Sequence, residues 1–332
     1  MRGLALAQAW RDRGGRAAFV MASGAEILEP RLGAEGMQLV ELTAEPGSAE
    51  DAAATAAAAG RTGASCVVVD GYHFDAAYRR TLAEAGLRVV CVDDLGQADL
   101  GDADVVLNQN NYAHERLYPR RAASTELLLG PRYALLRREF RRWRGWRRDV
   151  RGRPSRVLVT LGGGDADNAT LTAIQAVRRL GASDLDVEVI VGPTNRQHPA
   201  LWREVDDDRR IGLLTNVPDV PVLMAWADIA VTAAGSTSWE MAFMELPMIA
   251  VVLAENQAAI ARSLEEAGVA RNAGWYGVLS PEDLTKTLGA LLEDAESRAT
   301  MAARGRALVD GEGAFRVADR LLALTAQPAG IH

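Results

Sequence analysis

Short β-branched runs recur along the whole chain, and each ends in a polar or glycine-containing turn. Val67-Val68-Val69, Val89-Val90-Cys91-Val92 and Val105-Val106-Leu107 lie in the first half. Val157 to Leu161, Val187 to Val191, Ile211 to Leu214, Ile229 to Thr232 and Met248 to Leu253 lie in the second. Helix-like or turn-like segments separate them, which is the alternation of a parallel sheet flanked by helices. The readable chain begins with a helix, because Leu4, Ala7 and Trp10 recur at helical spacing and Gly14-Gly15 closes the segment before the run Ala17 to Met21. At 332 residues the chain exceeds what one hydrophobic core usually serves, and its 48% apolar content is enough to bury two. Between 137 and 153 nine arginines crowd around Trp143 and Trp146, and Pro154 ends the segment. This composition shift predicts a boundary near 150, with one doubly wound α/β domain over 1–150 and another over 151–332. The arginine segment itself reads as a solvated basic helix and linker rather than a phosphate site. Ala52 to Ala59, low in complexity, reads as a helix face.

With 37 basic against 44 acidic residues the net charge is −7, which gives no general attraction to nucleic acid or anionic membranes. Gln8, Arg11, Asp12 and Arg13 interrupt the first Ala/Leu stretch before a signal segment or membrane span is complete, so a cytoplasmic setting is expected. Cys66 and Cys91 sit in apolar runs and read as core thiols. His114, His198 and His332 have no spaced metal partner.

Ligands of parallel sheets bind outside the carboxyl ends of the strands, and in a two-domain chain the cleft is the default pocket. Gly162-Gly163-Gly164-Asp165-Ala166-Asp167-Asn168 is a glycine turn feeding a helix that starts near Asn168. Its backbone N–H groups suit a phosphate, and it equally suits a plain strand-to-helix turn. Thr232 to Glu240 repeats the device. Gly235, Ser236 and Thr237 offer donors to a diphosphate and Glu240 an acceptor for ribose hydroxyls, although Thr237 and Glu240 also match a capping box. Asn256 and Gln257 offer bonds to sugar or phosphate oxygens, unless Asn256 merely caps its helix. In the first half, Asp70 to Asp75, Asp93-Asp94 and Asn108 to Tyr112 follow three strands and suggest a rim that holds a sugar. Asp70 and Asn108 are candidate binding residues, while Asp93 and Asp94, pointing apart, read as structural or sugar-orienting. His73, beside Tyr72, is the histidine placed where chemistry is plausible.

In this order VVDGYHFD, VVCVDDL, DVVLNQN, GPRYALLRREF, LGGGDADN, TAAGSTSWE and the ENQ of 255 to 257 resemble the UDP-2,4-diacetamido-2,4,6-trideoxy-β-L-altropyranose hydrolases of pseudaminic acid biosynthesis, relatives of the lipid II-forming N-acetylglucosaminyltransferase. The resemblance implies a GT-B-like fold, two Rossmann-like domains facing a cleft. It also implies a hydrolase that removes UDP from a UDP-linked diacetamido sugar with neither cofactor nor metal. By position, Tyr72 would belong to the substrate site, Gly235 and Ser236 would face the diphosphate, Glu240 the ribose, and Asn256 the sugar or phosphates. The chain departs from that family at its start. There the family carries a first strand and a Gly-x-Gly-His-x-x-Arg loop, of which Arg2 matches the arginine. The catalytic histidine would fall two residues before Met1 and the central strand is absent, so a natural start upstream of Met1 is expected; the alternative is that His73, beside Tyr72, took over water activation. A glycosyltransferase using the same nucleotide pocket and a UDP-sugar-binding protein without catalysis remain open.

Overall fold

The computed structural model describes residues 1–24, 28–96, 99–163, 165, 167–182, 184–192, 194, 195 and 197–326. The chain divides into two compact units, Met1–Arg138 together with the segment from Glu312 onward, and Glu139–Gly311. This differs from a boundary near 150 and a second domain running to the terminus. The arginine segment explains the first difference. It is no solvated helix: past a 3-10 stretch over Arg138–Trp143 it has no regular structure, and it belongs to unit 2 through its side chains. The guanidinium of Arg148 donates to the carbonyls of Met224, Ala227 and Met244, and Arg151 lies 3.5 Å from Asp228. Burial lowers the Arg148 pKa to about 10.

Unit 1 runs α1 (Arg2–Asp12), β1 (Ala18–Ala22), α2 (Glu29–Ala34), β2 (Gln38–Leu42), α3 (Ala49–Thr62), β3 (Cys66–Asp70), α4 (Ala76–Glu84), β4 (Arg88–Val92), β5 (Val105–Asn108) and β6 (Glu126–Leu129). The alanine-rich α3 is capped at both ends, by the Ser48 side chain accepting from Asp51 N–H and by left-handed Gly63. β3, β4, β5 and β6 form a parallel sheet in that order, and β1 and β2 form a separate parallel pair. Alternation decides the faces. Val90, Val92, Val105 and Leu107 pack on Ala5, Leu6 and Ala9 of α1 and on the C-terminal helix, whereas Val89, Cys91 and Val106 pack toward Ala52, Ala59, Tyr78 and Leu82. Burial pushes both thiols up to about 12, as suits core cysteines.

The C-terminal helix, Gly313–Thr325, belongs to unit 1 because Ala314, Phe315, Val317, Ala318 and Leu321 complete that core. Arg13 pairs with Asp319 and Arg320 with Glu126 at its solvent side. Gly313 is required there, since a Cβ would stand 2.3 Å from the Ala134 carbonyl oxygen.

Unit 2 runs β7 (Arg156–Thr160), α5 (Ala169–Leu180), β8 (Asp186–Ile190), α6 (His198–Val205), β9 (Ile211–Leu214), α7 (Val220–Trp226), β10 (Ile229–Ala233), α8 (Ser236–Phe243), β11 (Met248–Val252), α9 (Glu255–Glu266), β12 (Ala270–Trp275), α10 (Pro281–Glu293) and α11 (Ala295–Leu308). All six strands are parallel in the order β12-β11-β10-β7-β8-β9. Val157, Val159, Val187, Val189, Val231, Ile249 and Val251 pack against Ala173, Ile174 and Val177 of α5 and Leu284, Leu288 and Leu291 of α10. The chain steps outward from β7 through β8 to β9, then returns to place β10 on the other side of β7. That reversal opens a crevice outside the carboxyl ends of β7 and β10, where ligands of such sheets bind.

Candidate functional site

The turns after β7 and β10 flank this crevice and differ in one decisive respect. After β10, Gly235 is the N-cap of α8 and no side chain caps the helix. Its first-turn N–H groups and the positive end of its dipole are therefore open to an anion. Ser236 is exposed, Gly235 and Thr237 are half-buried, and Glu240 lies buried one turn further in. With Gly235 at the cap, Thr237 is already inside the helix, so the capping box suggested by Thr237 and Glu240 does not form. Buried Trp239 and the Ser238 hydroxyl, which donates to the Ala233 carbonyl at 3.3 Å, anchor the turn.

After β7, the chain supplies its own anion. Asp165, 3% exposed, accepts from the N–H groups of Ala169 and Thr170, both at 2.8 Å, so the start of α5 is already occupied. What stays accessible is the glycine backbone of Gly162 and Gly163; Gly164 lies outside the described residues. Sequence reading missed the loop after β8, which braces this backbone. The Thr194 N–H and hydroxyl both donate to the Gly163 carbonyl, at 3.1 and 2.6 Å. A Cβ on Gly192 would stand 2.3 Å from the carbonyl oxygens of both Gly162 and Gly163. The available signal was a glycine and hydroxyl-bearing turn directly after the run Val187 to Val191.

After β11, the N-cap of α9 is Ala254, so Asn256 is not a cap; it lies half-buried in the first turn. Gln257 holds the turn, its side-chain carbonyl accepting from Leu253 N–H at 2.9 Å.

In unit 1 the carboxyl ends of β3 and β4 are tied together by Arg2. Its Nε and Nη2 donate to Asp70 at 2.7 to 3.1 Å and its Nη1 donates to both oxygens of Asp94 at 2.8 and 2.9 Å. Burial opposes the guanidinium charge, but the two carboxylates outweigh it and hold its pKa above the ordinary value. Asp94 also accepts from the Tyr72 hydroxyl and the Asn110 amide, both at 2.9 Å. The Tyr72 ring is 58% exposed with its hydroxyl fixed from below, a fitting surface for a sugar. Asp93 points the other way, accepting from Gly96 N–H and the Tyr118 hydroxyl, and burial raises its pKa.

Two expected rim residues fall elsewhere. Asn108 is completely buried, its amide donating to Tyr118 and its carbonyl accepting from the backbone and side chain of Asn110, so it builds the rim from beneath. The His73 ring packs against Phe74, centroids 4.0 Å apart and planes tilted by 50°, outside the hydrogen bonds that fix Tyr72 and Asp94. Arg2, the centre of the network, was marked in the sequence only through the family resemblance. Among the described residues there is no group of three or more His, Cys, Asp or Glu able to hold a metal, and no helix long and apolar enough to cross a membrane.

The fold of the chain is that of the GT-B class. MurG of Acinetobacter baumannii aligns over 97% of this chain and 95% of its own with a TM-score of 0.67 at 16% identity. A UDP co-structure of MnaA from S. aureus aligns over 98% and 95% with a TM-score of 0.69 at 13% identity. Residues 156–314, which include the whole sheet of unit 2, match the glycosyltransferase family 28 C-terminal domain. In sequence, the chain is 23% identical over 243 residues to the spore coat polysaccharide biosynthesis protein SpsG of Bacillus subtilis (strain 168), covering 72% of this chain and 70% of that one.

Proposed function

We propose that this protein is a nucleotide-sugar hydrolase that releases UDP from a UDP-2,4-diacetamido-2,4,6-trideoxyhexose. One observation carries the reading: the uncapped start of α8 at the switch point, with Gly235, Ser236 and Thr237 at its tip and buried Glu240 beneath. The diphosphate binds there, Glu240 accepts from the ribose hydroxyls, and Asn256 and Gln257 add polar contacts to phosphate or sugar oxygens. The MnaA co-structure with UDP, on the same fold, supports a uridine diphosphate as the ligand.

Water attacks the anomeric carbon, the bond from that carbon to the phosphate oxygen breaks, and UDP leaves with the electron pair. The α8 N–H groups act where they favour the transition state most, because negative charge grows on the departing phosphate as the bond breaks. Tyr72 orients the sugar and Asp70 accepts from its polar groups. His73 is the histidine of this chain offered as water activator, and its tilted ring contact with Phe74 would have to open for that role. No cofactor or metal enters this scheme.

The match of residues 156–314 to a glycosyltransferase domain favours a second reading, transfer of the sugar to an acceptor hydroxyl from the same nucleotide pocket. Calorimetric titration with UDP, followed by 31P NMR of the UDP-diacetamido sugar with and without acceptors, separates these. UDP release in water alone supports hydrolysis, and release that needs an acceptor supports transfer. Binding without turnover leaves a sugar-nucleotide binder. Failure of UDP to bind, or full retention of binding by Glu240→Ala, overturns the site assignment.

A further inference from the structure

We propose that unit 1 holds a second binding site, at the opposite end of α1 from the rim of Asp70 and Asp94, for a small hydroxylated monocarboxylate of the sugar-acid class. A cavity of about 410 Å³ opens there between Arg11 and Asp12 at the end of α1, the turn 33–36 that closes α2, and Arg138, the last residue of unit 1. Its volume is that of a small-ligand pocket. Arg2 begins α1 at the rim, and Arg11 lies about 14 Å further along the helix axis. The cavity is therefore separate from the surface offered by Tyr72, and all of its wall belongs to one unit.

One side of the cavity is closed and neutral. Arg138 donates through Nη1 to Glu35 at 2.7 Å and through Nη2 to Asp12 at 2.9 Å, and its backbone N–H donates to the side-chain carbonyl of Gln8 at 2.7 Å. Gln8, 1% exposed, donates its amide to the other oxygen of Glu35 at 2.6 Å, and Arg31 stands 3.5 Å from the same carboxylate. Two cations thus answer two carboxylates, and both oxygens of Glu35 are engaged. Arg11 is the remaining charge. Its guanidinium lies over Gly36, where a Cβ would stand 3.0 Å from Nη1 and 3.2 Å from Nη2. With φ at +63°, that position needs glycine for the turn as well as for the close approach. Arg11 is half-buried and has no hydrogen bond or ion pair among the described residues.

Charge and lining select the ligand. A guanidinium held against a glycine, with its donors unspent, is a fork that meets a carboxylate through two parallel N–H bonds. The wall carries one uncompensated positive charge, which a monocarboxylate neutralises. A phosphate dianion would leave a negative charge in excess beside Asp12 and Glu35, and an amino acid would bring an ammonium to carboxylates already paired. No side chain in the lining is apolar beyond Ala34, so the body of the ligand is polar too. The carboxylate oxygens of Asp12 and Glu35 can accept from its hydroxyl groups. This inference stands whether or not UDP binds at α8.

Calorimetric titration of the full chain with D-glucuronate, D-glucose and glucose 6-phosphate tests the site. Glucuronate should bind once per chain, about tenfold or more tightly than either comparator. Arg11→Gln should weaken it by about tenfold or more, and Arg11→Lys, which keeps the charge without the fork, should restore only part of that loss. Hydrogen exchange by mass spectrometry should show amides of 33–37 and of the last turn of α1 slowing under saturating glucuronate in the native protein and not in Arg11→Gln, with β10 and α8 unchanged. Arg11 makes no bond within the protein, so the variant keeps its fold, which its exchange pattern without ligand checks. Failure of glucuronate to bind, equal binding of glucose, tighter binding of glucose 6-phosphate, an affinity unmoved by Arg11→Gln, or displacement of glucuronate by UDP would each overturn the proposal. UDP binding retained by Arg11→Gln keeps this site and the nucleotide site apart.

Discussion

Replacing Arg2 with methionine removes the cation that joins the ends of β3 and β4. Its two carboxylate partners are unequal: the Asp94 side chain is 6% exposed and that of Asp70 34%. Breaking a buried pair costs about 3 to 5 kcal/mol, whereas an exposed one contributes at most about 1 kcal/mol. Tyr72 and Asn110 still donate to Asp94 in the variant, which places the loss at the lower end, about 3 kcal/mol. With a urea dependence of about 2 kcal/mol per molar, the midpoint for unit 1 should fall by roughly 1 to 2 M. Trp10 is the one tryptophan of unit 1 against six in unit 2, so fluorescence would report the wrong unit. Hydrogen exchange of β3 to β5 amides in rising urea reads the right one. Double-mutant cycles with Asp94→Asn and Asp70→Asn should give a coupling of about 2 kcal/mol or more for the first and below about 1 kcal/mol for the second. Equal couplings, or a larger one to Asp70, would refute the assignment of Asp94 as the buried partner.

Gly192→Ala should displace the glycine turn after β7, because its Cβ meets two carbonyl oxygens at 2.3 Å; weaker UDP binding by calorimetry with unit 2 still folded is the expected result. Arg148→Met should destabilise unit 2 by about 3 kcal/mol or more, by leaving carbonyls of Met224, Ala227 and Met244 without their donor, measurable as a fall in its fluorescence melt. The Asp93 pKa is raised by burial above its unfolded value of 3.8, so this group contributes stability below that pH and loses it as pH rises through the folded pKa. The stability of the native protein minus that of Asp93→Asn should therefore fall as pH rises above about 4 and through the raised folded pKa. Exchange-monitored melts of unit 1 would show it, and a difference that rises instead would contradict the burial argument.

The strands most visible in the sequence were those buried on both faces, because an unbroken apolar run such as Val89 to Val92 suits an inner parallel strand and is too short for a helix. β2 and β12 escaped notice for the opposite reason: QLVEL and ARNAGW mix polar residues into half-exposed strands. The turns after β10 and β11 were found because strand-to-helix geometry is local. Whether a turn is free is not local, and only the fold shows that Asp165 occupies the start of α5 while α8 stays open. Asn108 was misplaced by the same limit, since a polar residue at a strand end looks like rim until Tyr118 is seen to close over it. The amphipathic pattern of the last helix likewise cannot name the core it joins.

That last helix sets an order on biosynthesis. Unit 2 is one uninterrupted stretch from Glu139 to Gly311, whereas unit 1 needs residues from both extremes of the chain. A ribosome delivers everything unit 2 requires before it delivers Phe315, Val317 and Leu321. The faces of β4 and β5 that these residues cover must wait, apolar and open, until the segment beyond Gly311 has been made. Synthesis usually lets the amino-terminal domain fold first. In this protein the carboxyl-terminal unit is complete earlier, and the interval before unit 1 closes is when the nascent chain most needs protection from aggregation.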